Sequence, residues 1–361
     1  MPWLTLPLLL LAALAGITQL ETRRLEARFP PVGRFADVDG VRLHYSIAGP
    51  ADVGTTPIVL IHGASTSLLD FHASLMPPLA EGHSVVAVDR PGHGYSERPD
   101  PRSSAGGAIA ALAATRAGDE RWREPDNAAK RGGSDWPDPA EQARLLHELM
   151  LDLGIERPVL VGHSLAGAVV LAYLLAYPDD AAGGVLLAGG SHPWKGGVSW
   201  YNDLAGVPLL GPIFAHTMPL TLGRLLLEDG LAEAFEPNAP PPDYLRHTGV
   251  ELTLRPEAFL ANAEDVSRLS RFLEGQSNHY AYIRRPLLLI TGDADEVVPA
   301  WNHAERLVRQ APLAELVRLP GIGHGLHHVA TDQVAALIDD FTRRVAPAPA
   351  PPAQNPAQST P

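Results

Sequence analysis

The sequence predicts an α/β fold, with a mostly parallel sheet covered by helices on both faces. Three observations predict it. Short β-branched runs alternate with helical patterns between residues 57 and 345. An antiparallel start precedes them, marked by the turn pair Asp39-Gly40 between strand runs at 34–38 and 41–46. The run Gly162-His163-Ser164-Leu165-Ala166-Gly167 then sits where one apolar strand gives way to one apolar helix.

The elements follow in chain order. Residues 3–20 carry no charged side chain and are mostly Leu and Ala. As a helix they reach ~27 Å, against a hydrocarbon core of ~30 Å. Residues 1–22 are therefore expected to form a single-pass N-terminal membrane anchor. Arg23, Arg24 and Arg28 follow it and no Lys or Arg precedes it, which places the rest of the chain in the cytoplasm. Pro2 and Pro7 near its start suit a first helical turn. The alternative is a secretory signal cleaved at Ala13-Leu14-Ala15, giving a secreted or periplasmic protein; the missing basic stretch ahead of the apolar run argues against it.

After the hairpin, buried-strand runs are expected at 57–61, 84–89, 158–161, 184–188, 286–291 and 314–319. Helical patterns lie at 139–153, 165–177, 301–310 and 331–345. Two segments interrupt the alternation. Residues 101–136, rich in Gly, Ala, Arg and Asp, read as a surface insertion. Residues 191–283 separate two strand runs, carry Pro and Gly breaks and a helical stretch at 256–273, and are too long for a simple connection. They read as a helical cap, which divides the core into 34–190 and 284–345. Residues 346–361 are Pro/Ala-rich without charge, cannot bury a core, and read as a disordered tail.

Composition narrows the function. The net charge of −13 disfavours nucleic acid, whose phosphates need clustered Lys and Arg. The absence of cysteine removes disulfides, thiolate nucleophiles and cysteine metal sites. Fifteen histidines show no HExxH-type ligand spacing. No metal or organic cofactor is expected.

A serine among small residues at a strand-to-helix turn is the nucleophile-elbow pattern. The turn strains the serine backbone and lifts its hydroxyl clear of the sheet. The next N–H, that of Leu165, then points from a helix N-terminus toward a reacting carbonyl oxygen. A serine needs a histidine base, and the histidine a carboxylate to hold its tautomer. The carboxylate is sought after the strand run at 286–291, in Gly292-Asp293-Ala294-Asp295-Glu296. Of its three acids Asp295 is favoured and Asp293 is read as a turn former. The base is sought after the last strand run, where His324 lies between Gly323 and Gly325, with His327 and His328 as competitors. A second oxyanion donor is expected after residues 57–61, at the Ala64 N–H, with His62 structural. Asp89, Arg90 and His93, in DRPGHGYS at 89–96, are likewise read as structural.

Together HGAS at 62–65, DRPGHGYS at 89–96, GHSLAG at 162–167, GDADEVVP at 292–299 and GIGH at 321–324 resemble the α/β-hydrolase family, over residues 34–345. The resemblance implies an eight-stranded sheet with a helical cap between its sixth and seventh strands, the slot of residues 191–283. It matches Ser164 to the nucleophile, Asp295 to the acid, His324 to the base, and Ala64 and Leu165 to the oxyanion donors. One departure is Ala166, where the common G-x-S-x-G elbow ends in glycine. Epoxide hydrolases and haloalkane dehalogenases of this family use an elbow aspartate, so a serine implies hydrolysis of an ester, thioester, lactone or amide. The expectation is a membrane-tethered serine hydrolase acting on a carboxylic ester or related, lipophilic small acyl compound. Carbon–carbon hydrolysis or perhydrolysis on the same triad is the alternative, and a non-catalytic receptor of this fold is the reading from outside catalysis. Trp194, Trp200, Tyr201, Phe214 and Phe259 are apolar candidates for the pocket or for packing.

Overall fold

A computed structural model describes residues 5–50, 55–99 and 136–346. The expected insertion at 101–136, apart from Trp136, and the expected tail, apart from Ala346, lie outside the described residues.

Eight strands form one sheet in the order β1-β2-β4-β3-β5-β6-β7-β8. They are β1 (Arg34–Val38), β2 (Val41–Ala48), β3 (Ile58–Ile61), β4 (Val85–Val88), β5 (Val159–His163), β6 (Gly183–Leu187), β7 (Leu287–Gly292) and β8 (Ala314–Leu319). β2 runs antiparallel to both β1 and β4, and every pairing from β4 to β8 is parallel. The central strands are buried along their whole length, as continuous Val, Ile and Leu runs require when both faces are covered.

One core layer lies where Pro139–Asp152 and Ala166–Ala176 pack on the sheet. The other joins Phe71, Leu75 and Leu79 to Ile338 and Phe341 of Thr331–Val345. Asp138 caps Pro139–Asp152, accepting from Ala140 and Glu141 N–H at 3.0 Å, and Pro139 opens the helix where no N–H is needed.

Strand and helix bounds differ from the sequence expectation by a residue or two at most ends. Two differences matter. β5 runs on through His163, so the elbow serine follows the strand directly. The helix expected from 301 begins at Ala304, because the chain first turns through Pro299 to His303.

Between β6 and β7 the chain forms a helical insert. Its longest helix, Pro256–Gln276, buries Phe259, Asn262, Asp265, Leu269 and Leu273 on one stripe. The N-terminal helix, Thr5–Arg28, is long and apolar enough to cross a membrane and is mostly exposed.

Candidate active site

β3 lies between β4, which follows it in sequence, and β5, reached by crossing back over. A doubly wound sheet opens a crevice at such a reversal, at the carboxyl ends of its strands. The register pairs Ile61 with Gly162, so the chain leaving β3 runs beside the chain leaving β5. Gly63 is closely approached there: a Cβ would lie 3.1 Å from Ser164 Cβ and 3.0 Å from His163 Nδ1, so both neighbours would have to give way.

Ser164 has φ of 52°, the left-handed region that costs a non-glycine residue about 1–3 kcal/mol. Surrounding bonds hold it there. Its N–H donates to the Leu187 carbonyl at 2.9 Å, and its carbonyl accepts from Gly167 N–H at 3.0 Å and Gly190 N–H at 2.9 Å. Leu165 follows in helical conformation and leads into Ala166–Ala176, so its N–H belongs to the first turn, which has no acceptor inside the helix. At the departure from the common pattern, Ala166 opens the helix and its methyl is fully buried in the core. The close approach falls one residue later, where a Cβ on Gly167 would lie 2.8 Å from Gly189 Cα.

Asp295 follows β7 and His324 follows β8. Asp295 Oδ2 and His324 Nδ1 are 2.9 Å apart, and Asp295 Oδ1 accepts from Val297 and Val298 N–H at 2.9 and 2.8 Å. Burial pushes the Asp295 carboxyl up; the His324 hydrogen bond and charge, with the two N–H groups, outweigh it and hold the group below its ordinary value. Asp293 has a different task, its Oδ1 accepting from Gly321 N–H at 2.6 Å and tying the two loops together. His163 Nε2 donates to the His324 carbonyl at 3.3 Å and the two rings lie 4.9 Å apart, which brings the His324 loop against the residue before Ser164.

The competitors of His324 close on a different partner. His327 Nε2 and His328 Nε2 lie 2.7 and 2.8 Å from the two oxygens of Asp70, and Tyr244 OH donates to Asp70 at 3.0 Å. Burial pushes the Asp70 carboxyl up and the two imidazoles reverse this, holding it well below the carboxylate range, so it accepts from all three groups. Asp70, His327 and His328 offer ligand atoms within 4.8 Å of one another, the residue types a metal takes, but their hydrogen bonds to each other already satisfy the carboxylate.

The DRPGHGYS segment is structural, and it supports the site from below. Asp89 accepts from Leu68 N–H and Tyr95 N–H, both at 2.8 Å. Arg90, almost wholly buried, donates from Nε to the His62 carbonyl and from Nη2 to the Gly63 carbonyl, both at 3.0 Å. Its Nη1 pairs with Asp265 at 2.6 Å. His62 donates from Nδ1 to the Gly63 carbonyl at 2.8 Å and accepts at Nε2 from Arg90 N–H at 3.0 Å. With both nitrogens so used it stays neutral, and burial with the nearby Arg90 charge lowers its pKa to about 3. The Gly63–Ala64 peptide is thereby oriented. Its carbonyl faces Arg90 and His62, so in a trans peptide the Ala64 N–H faces the opposite way.

Sequence reasoning missed the insert's polar contacts. Asn262 accepts from Ser65 N–H at 2.6 Å and donates to Ser65 Oγ at 3.1 Å. Asp265, one turn on, also accepts from Trp136 Nε1 at 2.9 Å and Arg98 at 3.0 Å. The available signal was Asn262 and Asp265 at helical spacing on the apolar stripe of their helix. His303 was missed too; its Nδ1 accepts from Ser191 and His192 N–H at 3.1 and 3.2 Å. Leu165, the residue after Ser164, belongs to a buried apolar cluster with Ala168, Leu269 and Leu273, and Ala64 and Trp194 pack against it. Trp200, Tyr201, Phe214 and Phe259 instead pack against one another in edge-on and tilted pairs.

The family profile described as alpha/beta hydrolase fold matches residues 56–331. The chain belongs to the α/β-hydrolase fold family. It is similar to the dihydrolipoyllysine-residue acetyltransferase component of an acetoin cleaving system from Pseudomonas putida, 28% identical over 87% of this chain and 70% of that one. It is also similar to a 2-hydroxy-6-oxononadienedioate/2-hydroxy-6-oxononatrienedioate hydrolase from Burkholderia vietnamiensis, 25% identical over 84% of this chain and 92% of that one. A thermophilic esterase from Thermogutta terrifontis shares the fold with a TM-score of 0.63 and 17% identity, over 87% of this chain and all of that one.

Proposed function

We propose that the protein is a membrane-tethered serine hydrolase that cleaves a carboxylic ester or related acyl compound. The observations that carry this reading are the Asp295–His324 pair at 2.9 Å and a serine held at φ 52° on the elbow after β5. Ser164 Oγ attacks the acyl carbon and passes its proton to His324 Nε2. Ala64 and Leu165 N–H groups receive the oxyanion. The bond to the leaving oxygen breaks as His324 returns the proton, releasing the alcohol. Water, deprotonated by His324, then attacks the acyl carbon; the acyl–Oγ bond breaks as His324 returns that proton to Ser164 Oγ, and the acid is freed. Asp295 holds His324 in the tautomer that presents Nε2 and stabilises its charged form. The helical insert serves as the cap that selects substrate.

Carbon–carbon hydrolysis is the second reading, favoured by the similarity to the oxononadienedioate hydrolase. A dianionic substrate calls for a cation at the site. Arg90 and Arg98, which reach the inner face of the insert, are paired with Asp265 and Glu264. The apolar cluster at Leu165 and Ala64, next to Ser164, favours a neutral acyl chain instead.

The reading predicts covalent labelling by a fluorophosphonate probe, abolished in Ser164→Ala, and turnover of neutral esters on an acyl-length panel above that of dienoate substrates. A folded protein that never labels would favour a non-catalytic receptor. The N-terminal helix supplies the tether, with the side carrying Arg23, Arg24 and Arg28 in the cytoplasm. Alkaline carbonate extraction tests it: an anchored protein stays in the pellet, and release to the supernatant argues for cleavage or peripheral attachment.

A further inference from the structure

The N-terminal helix does not stand apart from the domain. Its less exposed positions, Leu14, Ala15, Thr18, Glu21, Thr22 and Leu25, recur every three or four residues and form one stripe. That stripe lies against the insert, touching the helix Leu210–Thr217 and the π turn Pro219–Gly223. Leu25 and Phe29 share a buried cluster with Leu220 and Leu252. Ion pairs Glu21–Arg224, Glu26–Arg255 and Arg28–Glu251, at 2.8, 2.9 and 2.7 Å, fix the contact.

This docking limits how far the helix reaches alone. Packing begins at Leu14, so residues 5–13 are the described part that projects freely, about 14 Å of helix. A hydrocarbon core is ~30 Å thick. The apolar residues 14–20 therefore enter a bilayer only if the surface of the insert beside them enters too.

That surface has the composition such immersion needs. From Gly196 to Gly223 the sequence holds a single Asp, Glu, Lys or Arg, Asp203, and one histidine, His216, with Lys195 and Arg224 at its borders. Leu210 and Ile213, one turn apart, are 54% and 47% exposed, while Gly211 and Ala215 of the same helix face inward. Leu209 is 81% and Trp200 66% exposed, and Met218 and Leu222 continue the outer surface toward the N-terminal helix. A helix whose outer face is apolar but for His216 in its last turn, beside an apolar N-terminal helix, fits a lipid surface better than water.

We infer that the outer face of the insert, from Trp200 to Leu222, is a bilayer-docking surface that sinks into the membrane interface beside the N-terminal helix. The inference rests on the membrane-tether reading. It adds that the insert itself contacts lipid, so that the substrate class extends to esters dissolved in the bilayer.

The absence of native cysteine allows a direct test. The full-length protein is made with one cysteine at a time, Leu10→Cys, Leu210→Cys or Leu313→Cys, each labelled with a polarity-sensitive fluorophore. Each is reconstituted into phosphatidylethanolamine/phosphatidylglycerol vesicles carrying a quencher on the acyl chains. Leu313, 52% exposed, lies just before β8 at the end of the sheet away from the site and serves as the aqueous control. The expected result is that the Leu10 and Leu210 probes lose most of their emission and the Leu313 probe keeps its own. Quenching at Leu10 without quenching at Leu210 overturns the docking while the tether stands. No quenching at Leu10 overturns the tether and the docking together. Quenching at all three positions marks indiscriminate adsorption and also overturns the docking. A Leu210 probe that is blue-shifted, unquenched by lipid and reversed on dilution identifies a second copy of the chain as the occupant, against the proposal.

Discussion

The guanidinium of Arg90 donates to the carbonyl of Gly63 at 3.0 Å, and this bond, with the one from His62 Nδ1, sets which way the following N–H faces. A side chain that never reaches the surface thus aims the Ala64 donor of the proposed oxyanion hole. Arg90→Lys keeps the charge beside Asp265 but loses the fork that holds the His62 and Gly63 carbonyls. The expected outcome is a fall in kcat of about tenfold or more, ~1.4 kcal/mol of transition-state stabilisation, with little change in KM. Steady-state kinetics on a neutral ester check it, and an unchanged kcat would mean that the peptide is held without this residue.

Asp295→Asn tests the tautomer argument. The asparagine carbonyl oxygen still accepts from Val297 and Val298 N–H, so the loop after β7 keeps its shape. The amide nitrogen then meets His324 Nδ1 as a donor and favours the wrong tautomer. A loss of kcat approaching ~10⁴-fold is expected, with the melting temperature little changed. Retention of kcat in a folded variant would assign the acid elsewhere.

Acid sensitivity follows from the buried neutral histidines. Burial first, and neighbouring charges second, lower His62 to about 3 and His192 and His303 to about 4. In the unfolded chain each returns to ~6.5. Between these values the unfolded state binds more protons, so stability is complete above about pH 6.5 and falls by about 1.4 kcal/mol per pH unit for each such histidine. The depressed Asp295 acts in the same direction, but at lower pH, below the ordinary carboxylate value. Urea midpoints measured from about pH 7 to about pH 5 should decline, and more gently in His303→Asn, whose carbonyl replaces Nδ1 as acceptor for Ser191 and His192 N–H without titrating. Equal slopes in both proteins would contradict the assignment.

Substitutions at the elbow separate a sequence pattern from the space that underlies it. Ala166→Gly restores the common pattern and is expected to gain no activity, while costing up to ~1 kcal/mol of helix stability. Gly167→Ala places a methyl against Gly189 Cα and is expected to reduce both folded yield and fluorophosphonate labelling. The reverse ranking would place the tight contact at residue 166.

The fold was legible in the sequence where local chemistry speaks for itself. The β8 run at 314–319 and the helix at 331–345 match their expected bounds, because a short run bounded by Pro312 and Pro320 and a 3.6-residue apolar repeat are local signals. The serine elbow was legible through its small residues. Other features required three dimensions. His303 reads as one histidine among fifteen until the fold sets its ring beneath two N–H groups. Asp265 reads as a charge on an amphipathic helix until Arg90, Arg98 and Trp136, far away in sequence, converge on it. Long-range polar pairing leaves no periodic trace, because each partner is chosen by the fold and not by its neighbours.

The stripe by which the N-terminal helix grips the insert has a consequence for the mature protein. Its fully buried residues Thr18 and Leu25, and all three ion pairs, lie beyond Ala15. Severing the polypeptide after Ala15 would take away the projecting segment and the first two residues of the stripe, Leu14 and Ala15, and leave the rest of the grip in place. The same fold thus accommodates either fate of its first fifteen residues, tethered or released, and the choice between them rests with the processing machinery of the cell.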